Sequence, residues 1–501
     1  MTILIMHTSE EIQYGQYEDI LGIRDKVIFG GFWKDNHLIE DDRVNLWKLL
    51  PSNISREVIK YADGYDGKVM DIYHKLKEKF YEKYCYYLQR FDIAQLSSSY
   101  DYDYFFYVHL KAILRLIEEK KIKIIYSGPP SCGIDNLISE IAAIKKIKLV
   151  CLYQSHNGRF FWTTNWSDMG YFKTSKPIFP EAIIRLPKII VDPFYMVRNK
   201  KKVQREKNLV KFSNKFFNNL NLFRIYLYAV RVQLNLFLFN ENLGPFGVTK
   251  ILLQVHHFSN RIYSEIDEKL RISNNKKYKN LISLKNETEN TALKVLFYLK
   301  VQPEATEAFS SEFITNSHIM VDQLSKALPK NSIIYVKDHP DNIRNFVGLR
   351  RFFWESISHN HRVKVLDTQV RTSEIIDEVD IIATFDGTVG WEGLLKNKPV
   401  ITFGNPWYQC MPGVFPISKL SNIEEVLRAK LDRAALYESL KQLSLLMGEG
   451  YVIDIQGGYI NAVDEFVPES GLTDGEKIER LRNNDVKVAN SFLKIYDSIM
   501  S

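Results

Sequence analysis

The sequence predicts a parallel α/β protein divided into two domains, and three observations carry that prediction. Short, nearly uninterrupted apolar runs recur along the chain, as strands buried on both faces of a parallel sheet require. They alternate with segments of helical spacing, most regularly from residue 293 onward, which is the pattern of a doubly wound sheet. The chain has 501 residues, 45% of them hydrophobic and 25% charged, which is ordinary globular composition and too long for a single core.

Taken in order, the opening run MTILIMHTSEE lacks a basic n-region and is too short for a signal h-region, so it reads as a first β-strand. Residues up to about 60 mix apolar runs with turns such as Gly30-Gly31 and give no clear order. Helical spacing follows at 65–90 and 104–120, with Leu110, Ile113, Leu114 and Ile117 on one face of the second helix. A strand at 123–127, a turn at Gly128-Pro129-Pro130, a helix at 135–145 and a strand at 148–153 complete a βαβ pattern. The strand opens into QSHNGRFFW, whose Ser155, His156, Asn157 and Arg159 are polar loop residues placed to face a cleft.

From 198 the chain turns basic, RNKKKVQREKNLVK, and then apolar, with Leu220, Phe223, Leu227, Val230, Leu234 and Phe237 on one helical stripe. Arg224 and Arg231 lie within that stretch and argue against a membrane span. Two readings stand for 198–240: a helix packed on the protein body, or an interfacial helix drawn to an anionic membrane surface. Residues 265–290 are polar and read as a linker, which gives an N-terminal domain over 1–264 and a C-terminal domain over 291–465. In the second domain, strands at 295–300, 332–337, 363–366, 380–385 and 399–403 alternate with helices near 316–328, 341–358, 373–379 and 388–396. Thr473 and Glu476 form a capping box for a last helix within 466–501, striped by Val488, Phe492, Ile495 and Ile499.

The net charge of +7, from 67 basic against 60 acidic residues, is mild and gives no indication of nucleic acid as a partner. Cys85, Cys132, Cys151 and Cys410 show no CxxC spacing, so neither a disulfide framework nor a zinc site is expected, and a reducing cytoplasm is the default location. There is no Walker-type or GxGxxG loop, which argues against a kinase or a dehydrogenase, and no cofactor is expected.

The polar motifs of the second domain all follow strands. Gln302-Pro303-Glu304, Lys337-Asp338-His339-Pro340, Asp386-Gly387-Thr388 and Gly404-Asn405-Pro406-Trp407 each sit where a strand's carboxyl end is predicted. In an open parallel sheet those ends share one edge, and ligands bind there. The chemistry fits a nucleotide-activated donor. His339 can donate to a leaving phosphate, and a helix start with Thr388 as N-cap can hold anionic oxygens. Gly390 would allow close backbone approach, and Glu392 could accept from ribose hydroxyls. Glu304 could serve as nucleophile or base, or could merely cap the segment after it.

At these residues the sequence resembles a known family. VQPEAT, VKDHP and TFDGTVGWEGLLKNKPVITFGNPWY are similar to the bacterial capsule and surface-polysaccharide biosynthesis glycosyltransferases, a group that includes the Kdo transferases using CMP-Kdo. The KxHP element is also similar to one in bacterial sialyltransferases. The resemblance covers roughly residues 293–416 and implies a GT-B fold: two Rossmann-like domains with parallel sheets facing a cleft, and a C-terminal helix packing back across the interface. By position it implies a nucleotide-sugar site made by Gln302, Lys337, His339, Pro340, Asp386, Gly387, Thr388, Gly390 and Glu392. Glu304 falls where Kdo-transferring relatives have a catalytic Asp, and His156 and Arg159 fall on the acceptor side. The implied reaction moves a Kdo-like or other ulosonic acid from a CMP donor to a glycan or lipid-linked glycan acceptor, without a metal, in the cytoplasm or at the inner face of the membrane. The alternatives are a GT-B enzyme using a UDP- or GDP-sugar, and a non-catalytic capsule assembly or export protein.

Overall fold

The computed structural model describes residues 2–6, 26–31, 43–45, 60–63, 68–91, 99–128, 133–154, 159–166, 292–300, 317–339, 356–357, 359–366, 372–420, 422–450 and 474–500, with Ile20, Ile39 and Val452. Among them lie two sheets. The first takes its strands from β1 (Thr2–Met6), β2 (Lys26–Gly31), β3 (Arg43–Asn45), β4 (Ile122–Ser127), β5 (Lys148–Gln154) and β6 (Arg159–Thr163), with α1 (Lys68–Phe91), α2 (Ser99–Glu119) and α3 (Gly133–Ile144) in the connections. The second is formed by β7 (Lys294–Tyr298), β8 (Ile333–Lys337), β9 (Val363–Leu366), β10 (Ile381–Thr384), β11 (Val400–Thr402) and β12 (Val414–Pro416). Its helices are α4 (Ser317–Ala327), α5 (Thr372–Glu378), α6 (Thr388–Leu395), α7 (Glu424–Leu427) and α8 (Arg433–Ser444).

The second sheet is parallel throughout and runs β12-β11-β10-β7-β8-β9, the doubly wound order in which the first strand is central and the fourth lies on its other side. The first sheet repeats that order over its parallel part, β3-β2-β1-β4-β5. It then adds two antiparallel strands, β6 and β13 (Gly448–Glu449). Two Rossmann-order sheets are the GT-B layout that the resemblance implied.

The strands form because their side chains fill both faces. Along β1, Leu4 and Met6 face a core shared with Leu76 of α1, Ile113 of α2 and Ile138 of α3. Ile3 and Ile5 face the opposite way, as alternation along a strand requires. What covers that second face is α9 (Asp474–Met500): its Val488, Phe492 and Ile495 pack among Ile3, Ile5, Phe29, Tyr126 and Phe160. The Tyr126 hydroxyl donates to the Phe492 carbonyl at 2.9 Å, and the two rings stack at 4.3 Å. The last helix, expected from its apolar stripe to pack back across the domain interface, lies on the sheet of the first domain. Gly448–Glu449, which the sequence boundary at 465 assigns to the second domain, already pairs with β6 of the first sheet. The return is therefore made earlier than the composition suggests. Gly450 permits it with φ of +101°, a conformation that disfavours side chains.

Candidate functional site

The doubly wound order places the topological switch point of the second sheet between β7 and β10, where connections leave in opposite directions. Ligands of such sheets bind at the carboxyl ends flanking that point. Lys300 leaves β7 there and Asp386 leaves β10. Their side chains, 6% and 9% exposed, form an ion pair, and the Lys300 ammonium also lies 4.9 Å from the centre of the Phe385 ring. A charge pair this enclosed holds only because each partner removes the other's desolvation cost. It ties the Asp386-Gly387-Thr388 turn to the neighbouring strand. Asp386, expected in the nucleotide-sugar site, makes this ion pair at the sheet edge. Lys300, which the sequence reading left as a strand end, is the partner it missed.

On the other side of β7, β8 delivers Lys337 and His339. Lys337 is buried, with its ammonium 5.3 Å from the centre of the Tyr298 ring. The same tyrosine meets the half-buried His339 ring edge-on at 6.1 Å. The His339 backbone N–H donates to the Asp338 carboxylate at 2.8 Å, which fixes the loop as it leaves the strand. The structure therefore brings Lys337, His339, Asp386, Gly387 and Thr388 to one sheet edge, with Tyr298 and Lys300 between them. Gln302, Glu304, Pro340 and His156 lie outside the described residues, as do 198–240 and 265–290.

The start of α6 corrects two expectations. The N-cap is Gly387, in extended conformation, and Thr388 is already the first helical residue; no side chain caps the helix. Gly387 is anchored from both ends of its peptide units. Its N–H donates to Thr384 Oγ1 at 3.3 Å, while its carbonyl accepts the Gly390 N–H at 3.1 Å and the Tyr408 hydroxyl at 2.5 Å. Gly390 is buried, and the position a Cβ would take faces Tyr408. A Cβ there would run into the Tyr408 hydroxyl and come within 2.9 Å of Cζ and 3.0 Å of Val400 Cγ1. Its missing side chain makes room for a ring.

Thr388 and Glu392 are four residues apart and share a face of α6, with Thr388 exposed at its start. The first N–H groups of a helix have no acceptor within it and carry the positive end of its dipole, so this end is suited to anionic oxygens. Glu392 is half-buried, and burial pushes its carboxyl up to about 7, with Lys396 one turn on pulling the other way. It therefore changes charge near neutral pH, able to donate when protonated and to accept when ionised.

The first domain reaches this region through aromatic contacts. Phe161 of β6 stacks on Trp407 at 5.2 Å with planes 21° apart, and Trp407 packs against Trp391 at 4.8 Å and edge-on to Tyr408 at 5.4 Å. Cys151, Phe161 and Trp166 share one apolar cluster with Trp391, Tyr408 and Leu440. Arg159 departs from the acceptor-side loop expected of it. It opens β6, is buried, and pairs with Glu449 of β13 at 3.3 Å, so it secures the returning strand. Among the described residues no group of three or more His, Cys, Asp or Glu side chains is placed to hold a metal ion, and no helix is long and apolar enough to cross a membrane.

A two-domain α/β protein with a Rossmann-order sheet in each domain has the architecture in which, as a rule, ligands are held at the carboxyl ends of the strands. The chain belongs to the capsule polysaccharide biosynthesis protein family, whose model matches residues 168–443, more than half its length. It is 33% identical over 75 residues to the capsule polysaccharide modification protein LipA of Neisseria meningitidis serogroup B, a stretch that is 15% of this chain and 10% of that one. The chain thus spans about a tenth of the length of that curated relative. Among solved structures it is similar to Thermosulfurimonas dismutans KpsC, beta Kdo 2,7 transferase, at 13% identity and a TM-score of 0.31, covering 69% of this chain and 84% of that one. It is also similar to the Methanocaldococcus jannaschii UDP-GlcNAc 2-epimerase in complex with UDP-GlcNAc and UDP, at 9% identity and a TM-score of 0.24, covering 88% and 99%. Overlays at such scores add nothing to the architecture, which rests on the strand order.

Proposed function

We propose that this chain is a glycosyltransferase of surface polysaccharide assembly that moves a Kdo-like or other ulosonic acid from a CMP donor to a glycan or lipid-linked glycan acceptor. Membership of the capsule family supports the pathway, and one observation carries the site: a braced helix N-terminus at the topological switch point, beside His339 and Lys337. In this reading the α6 start and His339 receive the phosphate of the nucleotide, and Glu392 accepts from its ribose. By the family resemblance, Gln302, Pro340 and Lys337 belong to the same donor site. Lys337 shapes it through Tyr298 and His339, being too deeply enclosed to reach the ligand itself. Glu304 is the carboxylate that attacks the anomeric carbon or takes the acceptor's proton, and His156 is the acceptor-side residue of this proposal. No metal takes part in this reading, because the helix dipole and a hydrogen bond from His339 stabilise the charge of the leaving phosphate.

The test is a thermal-shift panel of CMP, UDP and GDP, each with and without EDTA. A ligand that binds only the folded state at a hundred times its Kd adds about 2.7 kcal/mol of stability. Stabilisation by CMP that survives EDTA, followed by release of CMP from CMP-Kdo when acceptor is added, is the predicted result. Stabilisation by UDP or GDP alone would move the reading to a diphosphate donor. Binding without turnover on any acceptor would leave a non-catalytic assembly protein.

A further inference from the structure

We propose that Tyr408 is a positioning residue for the donor site, holding the Gly387 carbonyl so that the start of α6 stays aimed, and that Trp407 and Phe161 couple this hold to the docking of the first domain. The inference rests on the donor-site reading above and deepens it.

Tyr408 is fully buried and is one of the largest such side chains among the described residues. A buried phenol needs an acceptor, and Tyr408 takes the carbonyl of the N-cap residue itself, at 2.5 Å. That carbonyl already accepts the Gly390 N–H at 3.1 Å, so the helix does not need the phenol in order to form. The second bond instead fixes the plane of the peptide unit between Gly387 and Thr388, whose N–H is the first the helix presents. Keeping the phenol there requires a glycine at 390, in a helix interior where glycine is unfavourable, because any side chain would meet the ring. Burial, with the Asp386 carboxylate as the next contribution, holds the hydroxyl well above its usual range and therefore protonated as a donor.

The hold extends outward through neighbouring rings. Trp407, the preceding residue, contacts both Trp391 of α6 and Phe161 of β6. A shift of the first domain that moves Phe161 moves Trp407, and with it the backbone that carries Tyr408. An ordinary core tyrosine would matter for stability alone, whereas a positioning tyrosine matters for donor affinity when stability is unchanged.

The experiment compares wild type, Tyr408→Phe and Phe161→Leu as full chains. It measures melting temperature, affinity for CMP, UDP and GDP by titration, and donor KM and kcat. Tyr408→Phe keeps the ring and all its packing. It is predicted to weaken nucleotide affinity about tenfold and to raise donor KM by a similar factor, with kcat changed less than threefold. Phe161→Leu, which keeps an apolar side chain, is predicted to weaken affinity in the same direction, and the double variant to be less than additive. Wild-type binding with unchanged affinity in Tyr408→Phe overturns the positioning role while leaving the donor site standing. Unchanged affinity in Phe161→Leu overturns the coupling. A wild type that binds none of the three nucleotides overturns the donor-site reading and this proposal with it.

Discussion

Glu392 shows how burial sets the behaviour of a single group. Its carboxyl is pushed up to about 7 from an ordinary 4.5. Between those values the unfolded chain has released the proton and the folded chain still holds it, so folding stability falls as pH rises through this window and levels off above it. Glu392→Gln removes that loss. The variant should gain on wild type as pH rises from 4.5 to 7.5, by on the order of 1–2 kcal/mol once partial exposure is discounted. Parallel stability curves for the two proteins would show that the carboxylate is not desolvated as described. Other residues at this scale were only partly legible in the sequence. His339 and the Asp-Gly-Thr turn could be placed because they follow apolar strands. The Lys300–Asp386 ion pair and the Arg159–Glu449 pair could not, since the partners stand far apart in the chain and only the fold joins them.

At the scale of elements, α6 is held mostly by what surrounds it. Gly390 reads in the sequence as room for a ligand, and the structure fills that room with Tyr408. Gly390→Ala would gain helix propensity of about 1 kcal/mol, but it drives a methyl into a fully buried ring, and such overpacking costs about 1–3 kcal/mol. A net loss of stability is predicted in denaturant titration, and a stabilised variant would contradict the packing account. The same lesson explains Thr388. Local capping preference selects the threonine, while the hydrogen bonds from Gly390 and Tyr408 converge on the glycine before it. Strands such as Ile333–Lys337 and Ile381–Thr384 were legible because burial on both faces makes their sequences uniformly apolar. The two-residue β13 was not, because nothing in Gly-Glu signals a strand until β6 is beside it.

For the whole molecule, the chain's ends close the first domain: β1 lies at its centre and α9 covers one face of its sheet. The stripe at 488–499 made a packed last helix legible, whereas the sheet it covers and its contacts with Ile3, Ile5 and Phe29 were not. For the basic and apolar stretch at 198–240, a helix packed on the protein body is the leading reading and an element drawn to an anionic membrane the alternative, which vesicle binding tests. Binding of the full chain to phosphatidylglycerol-containing vesicles is predicted to weaken as salt rises, since charges on an exposed surface are screened over about 10 Å at 0.1 M ionic strength. Equal partitioning to neutral and anionic vesicles would remove the electrostatic part of that proposal.

The central claim is that the switch point of the second sheet is a nucleotide-sugar site with His339 at its edge. The most direct measurement is donor turnover by His339→Ala beside wild type, with CMP-Kdo as donor and melting temperatures recorded in parallel. Loss of one donor to a developing phosphate charge costs about 2.7–4 kcal/mol, so the rate should fall roughly a hundredfold to a thousandfold at an unchanged melting temperature. A variant that keeps its fold and turns over at the wild-type rate would contradict the claim.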